Sequence, residues 1–196
     1  MPLKILRLVL LGAAMLYPLF FFPQAAELPA SMRKDAEKVL RALDKIQAES
    51  LTKKTGGLKR ADFTEAELNA YIAYRINTEK EEVMRELILK LFPENRIEGK
   101  ASLDLSGARL PLGLKPKMNL YFEGRVVTAG GAVRLDFQKL FIEDRAMPMM
   151  LLDLIILAAA AVGKSEAVGI NDWYELPYGL KEIKTSAQKL SLYYGP

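Results

Sequence analysis

The sequence predicts an α+β fold: a curved antiparallel sheet packed against a few helices, one of them almost wholly apolar, preceded by an N-terminal membrane segment. Three patterns predict it. Residues 8–22 form an apolar run, residues 118–137 alternate between apolar and polar side chains, and residues 148–162 contain one charge. The 196-residue chain leaves room for one domain of roughly 150 residues after a targeting segment. A composition of 51% hydrophobic and 27% charged residues is typical of a folded protein.

The composition excludes several classes of function. The chain contains no His and no Cys, so it cannot form a Ser-His-Asp triad, a cysteine nucleophile, an imidazole or thiolate zinc site or a disulfide. The net charge is +4, but basic and acidic residues are mixed along the chain and form no basic tract. We therefore expect no cofactor, no metal, no nucleic-acid partner and no enzymatic activity.

Residues 1–26 have the layout of a signal anchor or a signal peptide. Lys4 and Arg7 precede the apolar run from Leu8 to Phe22. Counted from residue 5, this stretch is just long enough to cross a bilayer, and Ala25 and Ala26 make a poor cleavage site. The flanking charges place the rest of the chain on the periplasmic or extracellular side, anchored by this single segment, or secreted if it is cleaved.

Residues 27–60 are predicted to form an amphipathic helix and a linker. Apolar residues recur at three- and four-residue steps between Ser31 and Ser50, namely Ala36, Val39, Leu40, Leu43 and Ile46. The helix either lies on a membrane surface or docks on the domain with a solvated basic face, and the pattern favours docking. Residues 52–57 have the composition of a flexible linker.

Residues 61–196 are predicted to form the α+β domain. Thr64 and Glu67 have the spacing of a capping box that starts a helix, with a kink near Asn77 or a second start at Thr78. Alternation on both sides of residues 93–95 predicts a hairpin, although residues 79–91 can also be read as a helix.

The next strand pair is predicted from alternation in residues 118–126 and 133–137, joined by a turn at residues 129–131. Gly124 lies in the apolar row, which indicates a bend or a close approach of another group to the backbone. The apolar phase shifts before Leu140, so we expect a bulge near Lys139. Residues 180–185 and 189–194 are predicted to form a last hairpin.

Residues 148–162 are predicted to form a helix that is apolar on nearly every side, with Pro148 in its first turn and Gly163 at its end. Such a helix must be covered on more than one side or line an apolar cavity. If the helix is buried, its Asp153 is the carboxylate whose pKa burial would change most. A side chain that reaches solvent or caps a neighbour is the simpler interpretation.

The apolar helix and the alternating strands predict a ligand pocket, with a filled, dry core as the alternative. Methionines at the start of the helix suit irregular apolar ligands, and the alanines that follow leave room. The expected pocket residues are Leu120, Phe122, Val126, Leu135, Phe137, Met149, Leu152, Ile155 and Ile156.

Three short runs carry a resemblance to a known group of proteins: residues 63–70 (FTEAELNA), the helix start at Met147 and Pro148, and residues 176–180 (LPYGL). With the membrane segment, they resemble bacterial membrane-anchored envelope proteins with a tubular lipid-binding (TULIP-like) fold. The resemblance implies a strongly bent antiparallel sheet around an elongated groove for lipid tails. It transfers no individual ligand residue to this chain.

The expected function is non-enzymatic binding of a lipid or another hydrophobic ligand at the bacterial envelope, with transfer of lipid as an extension. The alternative is a membrane-tethered scaffold or adaptor that engages another envelope protein through its apolar helix and edge strands. An unusual carboxylate enzyme is a third hypothesis, and it would need two acids converging in one pocket.

Overall fold

The computed structural model describes residues 28–51, 57–79, 82–110, 114–163, 169–177 and 179–195. The helices in these ranges are α1 (Ala30–Leu51), α2 (Glu65–Glu79) and α3 (Met150–Val162). The strands are β1 (Lys59–Thr64), β2 (Met84–Leu91), β3 (Arg96–Asp104), β4 (Lys117–Ala129), β5 (Ala132–Ile142), β6 (Arg145–Ala146), β7 (Tyr174–Glu175), β8 (Leu180–Ser186) and β9 (Lys189–Tyr194).

The strands form a strongly curled antiparallel half-barrel, which confirms the predicted α+β class with a curved antiparallel sheet and a few helices. One sheet has the order β2-β3-β4-β5-β6, with β7 also paired to β5, and the other has the order β1-β9-β8. The predicted N-terminal membrane segment lies outside the described residues. Among the residues that are described, no helix combines the length and the hydropathy needed to cross a bilayer.

The two sheets are joined by side chains that hydrogen-bond to backbone groups. Thr185 in β8 donates from its backbone N to Asn95 Oδ1 at 2.9 Å and from Oγ1 to Phe92 O at 2.8 Å. Ile183 N donates to Thr128 Oγ1 at 3.3 Å. These contacts fasten β8 across the ends of β2, β3 and β4, so that both sheets enclose one hydrophobic core.

Helix α1 docks on the domain, as its pattern favoured. Its buried residues are Ala36, Val39, Leu43 and Ile46, which are four of the five apolar positions expected to form its inner face. Leu40 is partly buried against the same core. The basic face is solvated because the desolvation free energy of an unpaired ammonium or guanidinium group exceeds the stabilisation gained from packing it.

The capping box of α2 is confirmed. Thr64 N donates to Glu67 Oε2 at 2.9 Å, and Glu67 N donates to Thr64 Oγ1 at 3.2 Å. The expectation of a second helix start at Thr78 is wrong: α2 ends at Glu79, and the Thr78 hydroxyl donates to Tyr74 O inside the helix. The helical alternative for residues 79–91 is also wrong, because β2 occupies most of that stretch.

Strand β1 was not expected, since residues 59–60 had been assigned to the linker and residues 62–63 to the helix start. It pairs with β9 from Lys59 with Tyr194 to Thr64 with Lys189. The partner strand lies about 130 positions away in the chain, so no local sequence pattern predicts the pairing. The pairs β2–β3, β4–β5 and β8–β9 follow the three predicted hairpins. The two-residue strands β6 and β7, which both pair with β5, were not predicted.

The predicted bulge and turn in the β4–β5 pair are confirmed. Glu123 pairs with Lys139 but Gly124 pairs with Phe137, so Gln138 is the extra residue. This slip moves the buried positions of β5 from Val133 and Leu135 to Leu140 and Ile142. Gly130 and Gly131 have φ values of +59° and +77°, as a tight two-residue hairpin turn requires.

Helix α3 has Asp153 as its only charged residue, as expected, and it begins at Met150, two residues after Pro148. It is not covered on every side. One face is buried through Leu152, Ile155 and three alanines. The opposite face exposes Met150, Leu154 and Leu157, named here the α3 stripe.

Candidate functional site

A hollow of about 380 Å³ lies on the face of the larger sheet that points away from the core. It crosses four neighbouring strands in two rows of outward-facing residues. One row comprises Ile88, Lys100, Tyr121 and Phe141, and the other comprises Lys90, Glu98 and Glu123, with Gly99 and Phe122 between the rows. We call this site the outer hollow.

The floor of the outer hollow is largely apolar. Tyr121 pairs directly with Phe141 across β4 and β5, and Ile88 and Tyr121 remain 42% and 39% exposed. A sheet face that is turned to water ordinarily carries polar side chains, while the core lies on the other face. Three large apolar side chains on the outward face therefore indicate a surface that gains from being covered.

Gly99 allows close packing on the inward side of the sheet, beneath the middle of the outer hollow. It pairs with Phe122 across β3 and β4, and a Cβ atom at Gly99 would overlap the Phe122 ring. The ring thus packs directly over the glycine, and it meets Phe137 edge-on with 5.5 Å between centroids. This close packing fixes the sheet beneath the outer hollow because an aromatic ring replaces the missing side chain of Gly99.

Ion pairs neutralise most of the charged side chains at the outer hollow. Lys100 Nζ lies 2.8 Å from Glu86 Oε2, and this hydrogen bond raises the pKa of Lys100 and lowers that of Glu86. Lys139 Nζ lies 2.8 Å from Glu123 Oε2, which lowers the pKa of Glu123.

The charges of the second row are distributed unevenly. Arg96 Nη1 lies 2.8 Å from Glu98 Oε1 and 3.5 Å from Glu123 Oε1, so both acids of this row have a cationic partner. Lys90 forms no ion pair with the residues that the structure describes. The charge left without a partner at the outer hollow is therefore positive.

The structure gathers all nine expected pocket residues into one hydrophobic cluster. Five are buried, namely Leu120, Phe122, Leu135, Leu152 and Ile155, and four pack partly buried against them, namely Val126, Phe137, Met149 and Ile156. Phe122 is the one member of this set that also lines the outer hollow. A ligand-binding role for all nine residues stays a prediction.

Sequence reasoning missed the residues that form the floor of the outer hollow. Ile88 and Tyr121 occupy the polar rows of their alternating strands, where an apolar residue is the exception. Each was a usable signal on its own. Their adjacency to Phe141 depends on the registers of three strand pairs and on the bulge at Gln138, which the sequence does not supply.

The structure confirms the simpler interpretation of Asp153, a side chain that reaches solvent and bonds to a neighbouring segment. Its side chain is exposed, and Oδ1 accepts a hydrogen bond from Ile170 N at 3.3 Å. It therefore fastens the segment after α3 to the helix. Within the described ranges, no group of three or more carboxylates is placed to hold a metal ion.

No protein-family model matches the chain, and neither a curated protein nor a solved structure is significantly similar to it. The resemblance to tubular lipid-binding proteins therefore stays a prediction based on the short sequence runs.

Proposed function

We propose that this protein is a non-enzymatic binder of a lipid or another hydrophobic ligand at the bacterial envelope. The observation that carries the proposal is the apolar floor of the outer hollow, set in a sheet face that otherwise carries charged side chains. In the proposed arrangement, residues 1–26 hold the domain at the membrane, on its periplasmic or extracellular side. A ligand could then pass between the bilayer and the domain without crossing much water.

The size of the outer hollow supports this function. Its volume of about 380 Å³ lies near the lower end of the range of small-molecule sites, roughly 300–1,000 Å³. Burial of apolar area contributes about 25 cal/mol per Å², so covering ~100 Å² contributes roughly 2.5 kcal/mol. A ligand buries a comparable apolar area of its own, which roughly doubles the gain to about 5 kcal/mol. Association entropy costs about 4 kcal/mol or more and offsets most of it, so a purely apolar ligand would bind weakly and exchange readily.

The test replaces the apolar floor and counts the lipid that stays with the protein. Organic extracts of the gently purified full chain are analysed by mass spectrometry, for the wild type and for Ile88→Ser/Tyr121→Ser. The matched control is Leu154→Ser/Leu157→Ser, which removes two exposed apolar side chains from the α3 stripe. We expect an apolar ligand in the wild type and the control, and its loss from the floor variant.

The lipid-binding proposal fails if the wild type carries no apolar ligand and binds none that is added. It also fails if the floor variant retains as much ligand as the wild type.

A second function, a membrane-tethered scaffold, is favoured by the α3 stripe. Met150, Leu154 and Leu157 are 75%, 41% and 58% exposed and follow one another at four- and three-residue steps. This spacing places the three side chains on one side of the helix. Helices that bind in the groove of a partner protein present an apolar face of this kind.

The same two double variants separate the scaffold from the binder. Crosslinking in intact cells should join the protein to an envelope partner in the wild type and the floor variant, and the crosslink should disappear in Leu154→Ser/Leu157→Ser. Ile155 is unsuitable for this test because its side chain is buried. An unchanged crosslinking pattern in the α3 stripe variant would exclude this surface as the contact.

A further inference from the structure

We infer that the outer hollow takes a single-chain amphiphile with an anionic head group, a fatty carboxylate, and that Lys90 binds the head group. This inference rests on the proposed function and names the ligand class for the same site. It follows from three features of the outer hollow: the shape of its apolar row, the pairing of its charges and the position of Lys90.

The apolar row suits one acyl chain. Ile88, Tyr121 and Phe141 lie along the row that crosses β2 to β5. Lys100 of β3 stands between Ile88 and Tyr121, and its ammonium group is held by Glu86, so its methylene stem continues the apolar surface. Neighbouring strands are about 4.8 Å apart, so the row spans roughly 14 Å across the sheet. A hollow of about 380 Å³ with this elongated floor fits one chain lying across the strands better than the two chains of a phospholipid.

The acids at the outer hollow are not available to a cationic ligand. Glu123 is held by Lys139 and Arg96, and Glu98 is held by Arg96. Lys100 in turn is held by Glu86. A cationic head would meet acids that cationic side chains already neutralise, whereas an anionic head meets the Lys90 ammonium group, which has no ion-pair partner among the described residues.

Lys90 lies in the second row, beside the Ile88 end of the apolar row, where the head group would lie. It follows Ile88 by two positions in β2, so both side chains point outward on the same strand, roughly 7 Å apart along it. Its cross-strand neighbour is Glu98, whose carboxylate is bound to Arg96. The Lys90 side chain is exposed, so its ammonium group can reach the carboxylate of a fatty acid whose head group lies beside Ile88.

The experiment compares two probes of equal chain length that differ in head group. The full chain is reconstituted in zwitterionic nanodiscs, and binding of dodecanoate and dodecanol is measured against empty nanodiscs. The variants are Lys90→Gln, Lys90→Arg and, as a matched control, Lys181→Gln at another exposed lysine.

We expect Lys90→Gln to weaken dodecanoate binding about threefold to tenfold, since an exposed charge-assisted contact is lost. Dodecanol binding should not change, Lys90→Arg should keep dodecanoate binding, and Lys181→Gln should behave as the wild type. Added salt should reduce the preference for dodecanoate in the wild type.

Two outcomes overturn the inference, and they are distinguishable. If dodecanoate binds Lys90→Gln and the wild type equally but is lost in Ile88→Ser/Tyr121→Ser, the apolar site stands and the head-group assignment fails. If neither probe binds the wild type above empty nanodiscs, the proposed function fails together with the inference.

Discussion

The side chain of Asn69 in α2 pairs with both backbone groups of Leu89 in β2. Asn69 Nδ2 donates to Leu89 O at 2.8 Å, and Leu89 N donates to Asn69 Oδ1 at 2.8 Å. Two residues along the strand, Leu91 N donates to Glu65 Oε2 at 2.7 Å. Strand β2 is the first strand of the larger sheet, and α2 therefore satisfies part of an edge that would otherwise be open to pairing with another chain.

Asn69→Ala should lower the free energy of unfolding by about 1–3 kcal/mol, because it leaves two partly buried backbone groups without their partner. Asn77→Ala is the control, since Asn77 is exposed on the same helix and gains the same helix propensity. Its effect should stay within about 0.5 kcal/mol. Chemical denaturation measures both, and amide exchange at Leu89 should accelerate in Asn69→Ala alone. Equal effects of the two substitutions would refute this role.

The polar residues of the run that carries the family resemblance thus have structural partners. Thr64 and Glu67 cap α2, while Glu65 and Asn69 hold β2. Glu67 also forms an ion pair with Lys38 of α1. This part of the resemblance therefore specifies how α2 is packed, and it carries no information about a ligand.

Glu67 should make stability depend on pH in the acid range. Burial raises its pKa, but hydrogen bonds from Lys38 and from Thr64 N outweigh burial and hold the pKa below the ordinary value of 4.5. Because the folded pKa is the lower one, the stabilisation is complete above about pH 4.5 and is lost as the pH falls through the folded pKa.

Glu67→Gln should therefore destabilise the protein by about 0.5–1 kcal/mol at pH 7 and lose less stability than the wild type on acidification. Gln keeps one acceptor oxygen for the hydrogen bond from Thr64 N, while its amide NH2 group cannot accept from Lys38, so the change removes the charge and the contact with Lys38 together. The control is Glu175→Gln at an exposed carboxylate in β7. Thermal unfolding between pH 7 and pH 3 gives the comparison, and curves for Glu67→Gln that run parallel to the wild type would contradict the prediction.

Gly124→Ala should destabilise the protein by about 1–3 kcal/mol, because the bulge brings β5 against the glycine. An added Cβ would lie 2.8 Å from the Asp136 carbonyl oxygen and 3.1 Å from Leu135 Cδ1. At Gly57 no atom of the described residues lies within 4 Å of an added Cβ, so Gly57→Ala should be nearly neutral. Urea denaturation measures both variants. A neutral Gly124→Ala would mean that the two strands separate at the bulge more easily than their packing implies.

Tyr174→Phe should leave stability unchanged or raise it by up to about 1 kcal/mol. Burial raises the pKa of Tyr174, and its hydroxyl has no hydrogen-bond partner in the described part of the chain. Tyr71→Phe is the contrast: Arg75 Nη1 donates to the Tyr71 hydroxyl at 3.2 Å, so its loss should cost about 1–2 kcal/mol. The two melting temperatures should move in different directions, and equal losses would show that the Tyr174 hydroxyl is bonded.

Three hairpins were the predictable part of the fold. The β4–β5 pair followed from alternation on both sides of Gly130 and Gly131, and its bulge followed from a break in the period-two pattern near Lys139, because an inserted residue reverses the side of every residue after it. The candidate site was less predictable. Tyr121 and Ile88 could be placed on the outward face, but no local pattern placed Phe141 beside them.

The sequence by itself determined the α+β class, the cap of α2, the apolar character of α3 and the hairpins, because periodicity and turn chemistry act over a few neighbouring residues. The tertiary structure alone decided three features: that β1 pairs with β9, that Asn69 bonds to Leu89, and that an apolar floor lies on the outward sheet face beside Lys90. Each feature depends on strand register and packing between segments far apart in the chain. Interactions among sequence neighbours do not determine which distant segments meet.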